Sequence, residues 1–554
     1  MIWDFSDRLR TNVIWVGQKI PDDAKAFLSR LRFSIPDSPP AINLNNDSVL
    51  SGLAAAVFVQ TEDNPKVVVD ELNKYAVSLL DHDCLVIVLA SSKIKTTAIN
   101  NLLIVTNALI ELKIPATWPT EGPELAAFDG NKINPLMKYG APKPPHIFVY
   151  RDTLSVEIIA DLLVRQKQRP SPALDISTEF KILGPAAHNI KTDHKLMLRR
   201  GFHDCTELHL SRLTGGHSGV QVYSVHATLR IGGRPLPFFV KVGSRHSIKK
   251  EWLNYDEHVR PYIPFHLAPH LIEERCALGA HSGIIVGDFV EGAESLGECA
   301  RCGRAITAIG SLFDRTLVGW HRLALPKHGS LYTILGILLR DEVNPQRLAL
   351  AMKHGAKLKL SDLKIKLSKR QQEQMLFSRI HGDLHIENVM VRGSDAIIID
   401  FLAGRKDGVL LADYAALEVS LLVRAPIDQP EIKSKISDPS KWERIKRVLH
   451  LQCVDESTAF DKDSWERIAR SLYTRKALQD LPKQPDPTEP YAWLATCIRQ
   501  VRLHALPMQK QRSQYAYVLA YYLLQAAIKD PKAKAGEAYR RAIAYCLAEI
   551  LINN

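Results

Sequence analysis

Residues 381–388, His-Gly-Asp-Leu-His-Ile-Glu-Asn, constrain this chain more than any other segment, together with the run Ala-Ile-Ile-Ile-Asp-Phe at 396–401. Asp383 and Asn388 stand five positions apart, and Asp400 lies twelve further on, behind an apolar stretch that reads as a strand. Phosphoryl transfer from a nucleotide asks little covalent chemistry of a protein. It needs a carboxylate to orient the attacking hydroxyl and oxygen ligands to hold Mg2+ against the phosphates. An Asp-x4-Asn loop followed by a hairpin ending in Asp supplies all three groups. Residues 388–391, the polar turn 392–395 and residues 396–401 predict that hairpin. A chance acidic loop beside a buried strand is the bland alternative, and four matching residues (His381, Asp383, Asn388 and Asp400) at these spacings argue against it.

The pattern resembles the kinase-like phosphotransferases typified by aminoglycoside phosphotransferases and choline kinases. Protein kinases usually carry Arg after the loop His and Lys two places after the Asp. Gly382 and His385 stand there, as in the small-molecule enzymes. The resemblance implies ATP and Mg2+ as cofactors, Asp383 as catalytic base, and Asn388 and Asp400 as metal ligands. It places His385 near the transferred phosphoryl group. Downstream, Asp413-Tyr414-Ala415-Ala416-Leu417-Glu418 is similar to the Asp-aromatic-Ala-x-Leu-Glu segment of a subset found in multidomain bacterial signalling and conflict proteins. Asp413 is expected there as a structural anchor of the catalytic loop. One departure is Leu402, directly after Asp-Phe, where protein kinases place Gly. It bears on the substrate more than on the metal role.

The order of elements before the loop fits the same resemblance. Residues 208–213 and 220–229 predict strands joined by a turn that contains Gly215, Gly216, Ser218 and Gly219. Glycines let a backbone approach phosphates closely and aim N–H groups at them, although such a turn alone is more often an ordinary hairpin. Lys241 follows within the apolar run 237–242. A lysine there is costly to bury unpaired, and the bland reading is an edge-strand residue reaching water. The resemblance makes Lys241 a grip on the α/β-phosphates, paired with Glu251 on the next helix, with Glu257 as second choice. The strand 283–290 fits the hinge between lobes. Asp288 and Val290 are its candidates for pairing with the adenine edge.

Length predicts two to four domains for 554 residues. With 46% hydrophobic and 24% charged residues the composition is that of a soluble protein. No apolar run approaches a membrane span, and the acidic start lacks a signal-peptide core, so a cytoplasmic location is expected. Eight scattered cysteines make no disulfide framework. The isolated Cys299-x-x-Cys302 has no second pair to complete a zinc site. Much of the net charge of +12 clusters at Lys357, Lys359, Lys364, Lys366, Lys369 and Arg370. A solvated charged insertion is the simpler reading, and without interleaved aromatics a nucleic-acid partner is not indicated.

The expected fold class is an α/β N-terminal module (flavodoxin/receiver-like, parallel sheet) plus an α+β protein-kinase-like bilobal domain with a large helical C-terminal lobe. Residues 1–120 alternate predicted strands (12–16, 41–44, 54–59, 84–90, 115–118) with helices (24–31, 67–80, 98–112), which argues for a parallel sheet covered on both faces. Receiver chemistry is lacking: Gly17-Gln18, Gln60-Thr61 and Trp118-Pro119 stand where acids and a lysine would be needed. The module therefore reads as a degenerate receiver-like or Rossmann-like unit for docking a protein partner. Residues 121–200 read as a Pro-rich connector that could complete the first domain, 201–292 as the kinase-like N-lobe, and 293–554 as the helical C-lobe. Helices are predicted at 442–452, 465–478, 491–503, 514–528 and 535–552. The function these readings imply is Mg-ATP-dependent phosphorylation of a hydroxyl on a small molecule or protein in a bacterial signalling or defence setting. The alternative is an ATP-binding regulatory (pseudo)kinase module that gates partner binding.

Overall fold

In the computed structural model, residues 10–16, 20–36, 50–60, 66–90, 124–128, 147–151, 156–167, 172, 180–213, 220–290, 292–340, 342–369, 373–425, 460–529 and 535–553 are described. The expected strands at 41–44 and 115–118, the helices at 98–112 and 442–452, and the glycine turn at 214–219 lie outside them. The described residues up to Asp256, with His270–Phe289, form one compact unit; Glu257–Pro269 and the described residues from Val290 onward form another. Among the described residues no helix is long and apolar enough to cross a membrane.

The first unit contains two sheets. In one, β1 (Asn12–Val16), β2 (Leu53–Gln60), β3 (Leu85–Ala90) and β5 (Ile147–Arg151) run parallel in the order β1-β2-β3-β5. The middle strands are apolar on both faces, as a sheet covered on both sides requires: Leu53, Ala54, Ala55, Ala56, Val57 and Phe58 are all essentially inaccessible. Three helices, α1 (Asp22–Arg30), α2 (Lys66–Asp81) and α3 (Val156–Lys167), accompany it. One expectation needs correction: the sheet is not wholly parallel, because β4 (Glu124–Phe128) pairs antiparallel with β5 at its edge. Strand β5 belongs to the sheet, which is the alternative in which the stretch 121–200 completes the first domain. The β-branched and aromatic run Ile-Phe-Val-Tyr of β5 suits a pleated surface, and an antiparallel strand at the edge of a parallel sheet is a common arrangement.

The second sheet has the order β10-β11-β9-β8-β7-β6. Its strands are β6 (Lys181–Leu183), β7 (Cys205–Arg212), β8 (Gln221–Leu229), β9 (Phe238–Ser244), β10 (Ala277–Leu278) and β11 (Ser282–Asp288). Strands β7 to β11 are antiparallel to their neighbours, whereas β6 runs parallel to β7. Helix α4 (Thr192–Gly201) contributes Met197 and Leu198 to the core under this sheet, with Val225, Val240, Val242 and Ile284. Ser244 ends β9 and accepts the Ser247 N–H at 3.3 Å, so helix α5 (Arg245–Asn254) starts without an intervening loop.

The second unit holds two small sheets, β12-β15-β16 and β13-β14-β17, from β12 (Glu294–Ser295), β13 (Leu325–Gly329), β14 (Glu373–Ile380), β15 (Val389–Arg392), β16 (Asp395–Ile398) and β17 (Arg405–Val409). The hairpin β15–β16 lies where residues 388–401 predict one. The helices include α6 (Ala305–Ser311), α7 (Pro345–Lys353), α8 (Leu360–Ser368), α9 (Leu411–Arg424), α10 (Lys462–Leu472), α11 (Ala492–Ala505), α12 (Gln514–Ile528) and α13 (Ala535–Asn553). The continuous helix expected at 465–478 is broken. Tyr473 leaves helical geometry, and the Thr474 hydroxyl accepts the Ala477 N–H at 3.2 Å to start a new short helix, Arg475–Gln479. Helix α9 is buried along almost its whole length. Its Glu418 forms an ion pair of 2.6 Å with Arg502 of α11, both side chains at 0% exposure, and accepts the Tyr515 hydroxyl of α12 at 2.9 Å. Tyr515, Tyr521 and Tyr522 are buried, as packing residues should be. Lys353, Lys357, Lys359, Lys366 and Lys369 are exposed on and around α7 and α8.

Candidate active site

Strand β14 delivers the chain into the loop 381–388, and β15 leaves it. The loop is held from below by α9. The Asp413 carboxylate accepts the His381 N–H at 2.7 Å and the Gly382 N–H at 3.0 Å. One turn before the helix ends, the Ser420 hydroxyl accepts the Ile386 N–H at 3.1 Å. At the end of the helix, Arg424 lies 3.9 Å from Glu387. Asp413, Ser420 and Arg424 are seven and four residues apart and so share one helix face. Leu384 and Ile386 are buried, whereas Asp383 and Glu387 on either side of them are exposed. Burial pushes the Asp413 carboxyl above its ordinary range, against the pull of His381 and the two N–H donors. Asp413 is thus tied to the loop backbone, while Ser420 and Arg424 were not legible as site residues. Their helical spacing from Asp413 is the signal that could have found them.

Gly382 has φ +77° and lies against the Ala403 carbonyl. A Cβ here would collide with that backbone oxygen and would strain a left-handed residue. We expect Gly382→Ala to cost about 1–3 kcal/mol of stability, read as a lower urea midpoint in the second unit. An unchanged midpoint would show that the loop can move aside.

Asp383 is half-exposed at its carboxylate, with His385 Nε2 3.8 Å from its Oδ2. The Glu387 N–H donates to His385 Nδ1 at 3.3 Å, so the neutral ring carries its proton on Nε2, facing Asp383. Burial drives the His385 pKa down to about 4, opposed by the Asp383 carboxylate. His385 is therefore uncharged at neutral pH and presents an N–H toward Asp383 at 3.8 Å, beyond hydrogen-bond distance. Its unfolded form takes up a proton near 6.5 and its folded form near 4, so between these values the unfolded state binds more protons. Its stabilising contribution is complete above about pH 6.5 and falls as the pH drops toward 4. His385→Asn should flatten that part of the stability curve relative to the wild-type chain, measured as urea midpoints at successive pH values. A parallel curve would contradict the assignment.

Asn388 is buried and donates through Nδ2 to the Asp383 carbonyl at 2.9 Å, which turns its Oδ1 the other way. The Ile399 N–H donates to the Asn388 carbonyl at 3.0 Å, joining the two ends of the hairpin. Asp400 has φ +68°, a left-handed conformation uncommon outside glycine. Strain of this kind persists where the surroundings over-determine it and clusters at functional positions. His381, at 0% exposure, hydrogen-bonds through Nε2 to the Ile399 carbonyl at 2.9 Å and so fixes the residue next to Asp400. An amide oxygen and a carboxylate are hard donors of the kind Mg2+ prefers. That ion commonly takes only one or two protein ligands beside substrate phosphates and water. No cluster of three or more His, Cys, Asp or Glu ligands occurs among the described residues. The donor set fits Mg2+ brought with a nucleotide and does not fit a structural zinc.

In the first unit, Lys241 lies in a central strand, opposite Val222 on one side and Ile285 on the other. It is 4% exposed, which rules out the edge-strand alternative, and its Nζ is 2.6 Å from Glu251 Oε1. Glu251 is also buried, two turns into α5, whereas Glu257 is exposed and falls in a π-helical turn, Tyr255–Val259. A buried lysine and carboxylate are tolerable only as a pair. Asp288 ends β11, exposed and 3.7 Å from His270. Val290 begins the last stretch of the second unit. Gly215, Gly216, Ser218 and Gly219 lie outside the described residues.

A family model described as Ternary complex associated domain 9 matches residues 349–526, a minority of the chain that includes the loop. No curated protein sequence matches. Among solved structures, similarity is found to amicoumacin kinase hAmiN in complex with AMP-PNP, Ca2+ and Ami, with 11% identity, 62% of this chain and 88% of that chain covered, and a TM-score of 0.27. A choline kinase from Cryptosporidium parvum Iowa II matches at 10% identity over 68% and 92% of the two chains, with a TM-score of 0.28. A thermostable mutant of aminoglycoside phosphotransferase APH(4)-Ia, in ternary complex with AMP-PNP and hygromycin B, matches at 10% identity over 65% and 99%, with a TM-score of 0.32. These neighbours are small-molecule kinases. At such scores the chemistry of the present site is carried by its own residues alone.

Proposed function

We propose that the chain is an Mg-ATP-dependent phosphotransferase of kinase-like fold that phosphorylates a hydroxyl acceptor. The observation that carries this reading is the outward-facing Asp383 carboxylate on a loop tied at four points, through His381 N, Gly382 N, Ile386 N and the Asn388 side chain. A general base must be held in place while remaining open to its substrate, and this loop meets both conditions. Asp383 orients the acceptor hydroxyl and receives its proton. His385, uncharged at neutral pH, donates from Nε2 beside it. The Asn388 amide oxygen and the Asp400 carboxylate would hold Mg2+, which when bound neutralises charge on the phosphates. The Lys241 ammonium, kept charged and oriented by Glu251, grips the nucleotide's phosphates. The acceptor is a hydroxyl-bearing small molecule or protein, and the N-terminal α/β module serves regulation in a bacterial signalling or defence setting.

The test is incubation of the purified chain with γ-labelled ATP, Mg2+ and fractionated bacterial extract. Label should enter a small-molecule or protein fraction with the wild-type chain and fail to do so with Asp400→Asn. Transfer of an α-phosphate label would instead indicate nucleotidyl transfer. ATP binding without any transfer would overturn the enzymatic reading in favour of a nucleotide-gated regulatory module.

A further inference from the structure

Among the described residues, the α/β part and the six-stranded sheet of the first unit touch at the short turn Gly279–His281, between β10 and β11. From the α/β side, the Asp81 carboxylate at the end of α2 accepts the Ala280 N–H at 2.7 Å. Arg200 of α4 donates to the Leu278 carbonyl at 2.9 Å and to the Asp81 carbonyl at 3.1 Å, and its other nitrogen lies 3.2 Å from the Asp83 carboxylate. Gly279 approaches Asp81 so closely that a Cβ would meet the carboxylate oxygen. From the opposite side, Arg245, the first residue of α5, grips the same turn twice. Its side chain donates to the Gly279 carbonyl at 2.6 Å and its backbone N–H to the His281 carbonyl at 2.6 Å. Helix α5 carries Glu251, which pairs with Lys241.

The α/β side of this clasp is firmly anchored. The Asp83 carbonyl accepts from Arg10 at 3.1 Å and from Gln166 of α3, and Arg10, at 0% exposure, also reaches the Leu53 carbonyl at 3.3 Å. A shift of α3 or of the sheet edge must therefore move the 81–84 turn. Through Ala280 and Arg245 it must also move the first turn of α5. Packed elements with few alternative arrangements pass such displacements on instead of absorbing them.

We propose that Asp81 is a positioning residue: the N-terminal module sets the placement of α5, and hence of the Lys241–Glu251 pair, through the Gly279–His281 turn. The consequence for catalysis rests on the phosphotransferase reading, whereas the mechanical coupling does not. It is tested on the full chain by hydrogen–deuterium exchange, with nucleotide affinity measured alongside. In Asp81→Ala the α5 amides of residues 245–254 should exchange about fivefold faster or more, the lower end of typical site-to-site coupling, while β7 and β8 keep their protection. Asp81→Asn retains an acceptor oxygen and should stay near wild type. Gly279→Ala, which disturbs the contact from the other side, should reproduce the Asp81→Ala pattern and provides a second route if that variant folds poorly. The KM for ATP should rise in step with α5 exchange, with a smaller change in kcat. Faster exchange at Ala280 alone, or spread evenly over both sheets, would overturn the proposal. Loosening of α5 in a chain that transfers no phosphoryl group would leave the coupling standing and remove the phosphotransferase reading instead.

Discussion

Asp383→Asn should lower phosphoryl transfer by about 10²- to 10⁴-fold, the usual contribution of a positioned base, or about 3–5 kcal/mol in the barrier at 1.36 kcal/mol per decade. The substitution is nearly isosteric, and the side chain is half-exposed. The bond that Asn388 makes here goes to the Asp383 carbonyl and not to its carboxylate, so the loop keeps its shape. Stability should therefore change by less than about 0.5 kcal/mol, as for other exposed positions, and ATP should bind as before. The measurement is a single-turnover transfer rate together with a nucleotide titration. Full activity in the variant would remove Asp383 from the chemistry. A loss confined to ATP affinity would instead make it a ligand of the nucleotide's metal.

The second large effect is expected far from the loop. Arg502→Met leaves the Glu418 carboxylate fully buried without its cationic partner, accepting from the neutral Tyr515 hydroxyl. It also removes the guanidinium that caps the Leu472 and Ala477 carbonyls, at 2.6 and 3.0 Å. Breaking one side of a buried ion pair typically costs 3–5 kcal/mol, roughly, because the remaining charge has neither water nor partner. The double change Glu418→Leu with Arg502→Met should recover much of that loss, since two apolar side chains strand no charge. Urea unfolding of the two single variants and the double variant measures the coupling directly. A cost below about 1 kcal/mol for Arg502→Met would equal that of a surface pair and would show that water reaches Glu418. Because α9 also holds the loop through Asp413 and Ser420, the same loss should slow transfer wherever it loosens that helix.

Much of the candidate site was legible because its parts are close in the chain. The hairpin after Asn388 and the strand carrying Lys241 announce themselves through local periodicity and turn chemistry, whereas the helix Leu411–Arg424 was not foreseen. The parallel arrangement of β1, β2 and β3 followed from alternating apolar strands and helices. What escaped was the reversed edge strand β4 and the break at Tyr473–Thr474. These depend on which partner edge is open and which hydroxyl finds an N–H, neither of which a local pattern specifies.

The sequence by itself determined which residues can do chemistry: a loop with Asp383, His385 and Asn388, an acid at 400 behind an apolar strand, and a lysine within an apolar run. Local spacing suffices there, because side chains a few residues apart on one loop or strand cannot avoid one another. Only the tertiary structure decided that Ser420 holds the loop backbone beside Asp413, that Arg502 neutralises Glu418, and that Asp81 reaches Ala280 from 199 residues away. Each of these is a buried polar contact whose partner is set by the phase and packing of separate elements. A buried charge or N–H must be satisfied by something, but the chain must fold before it is settled by what.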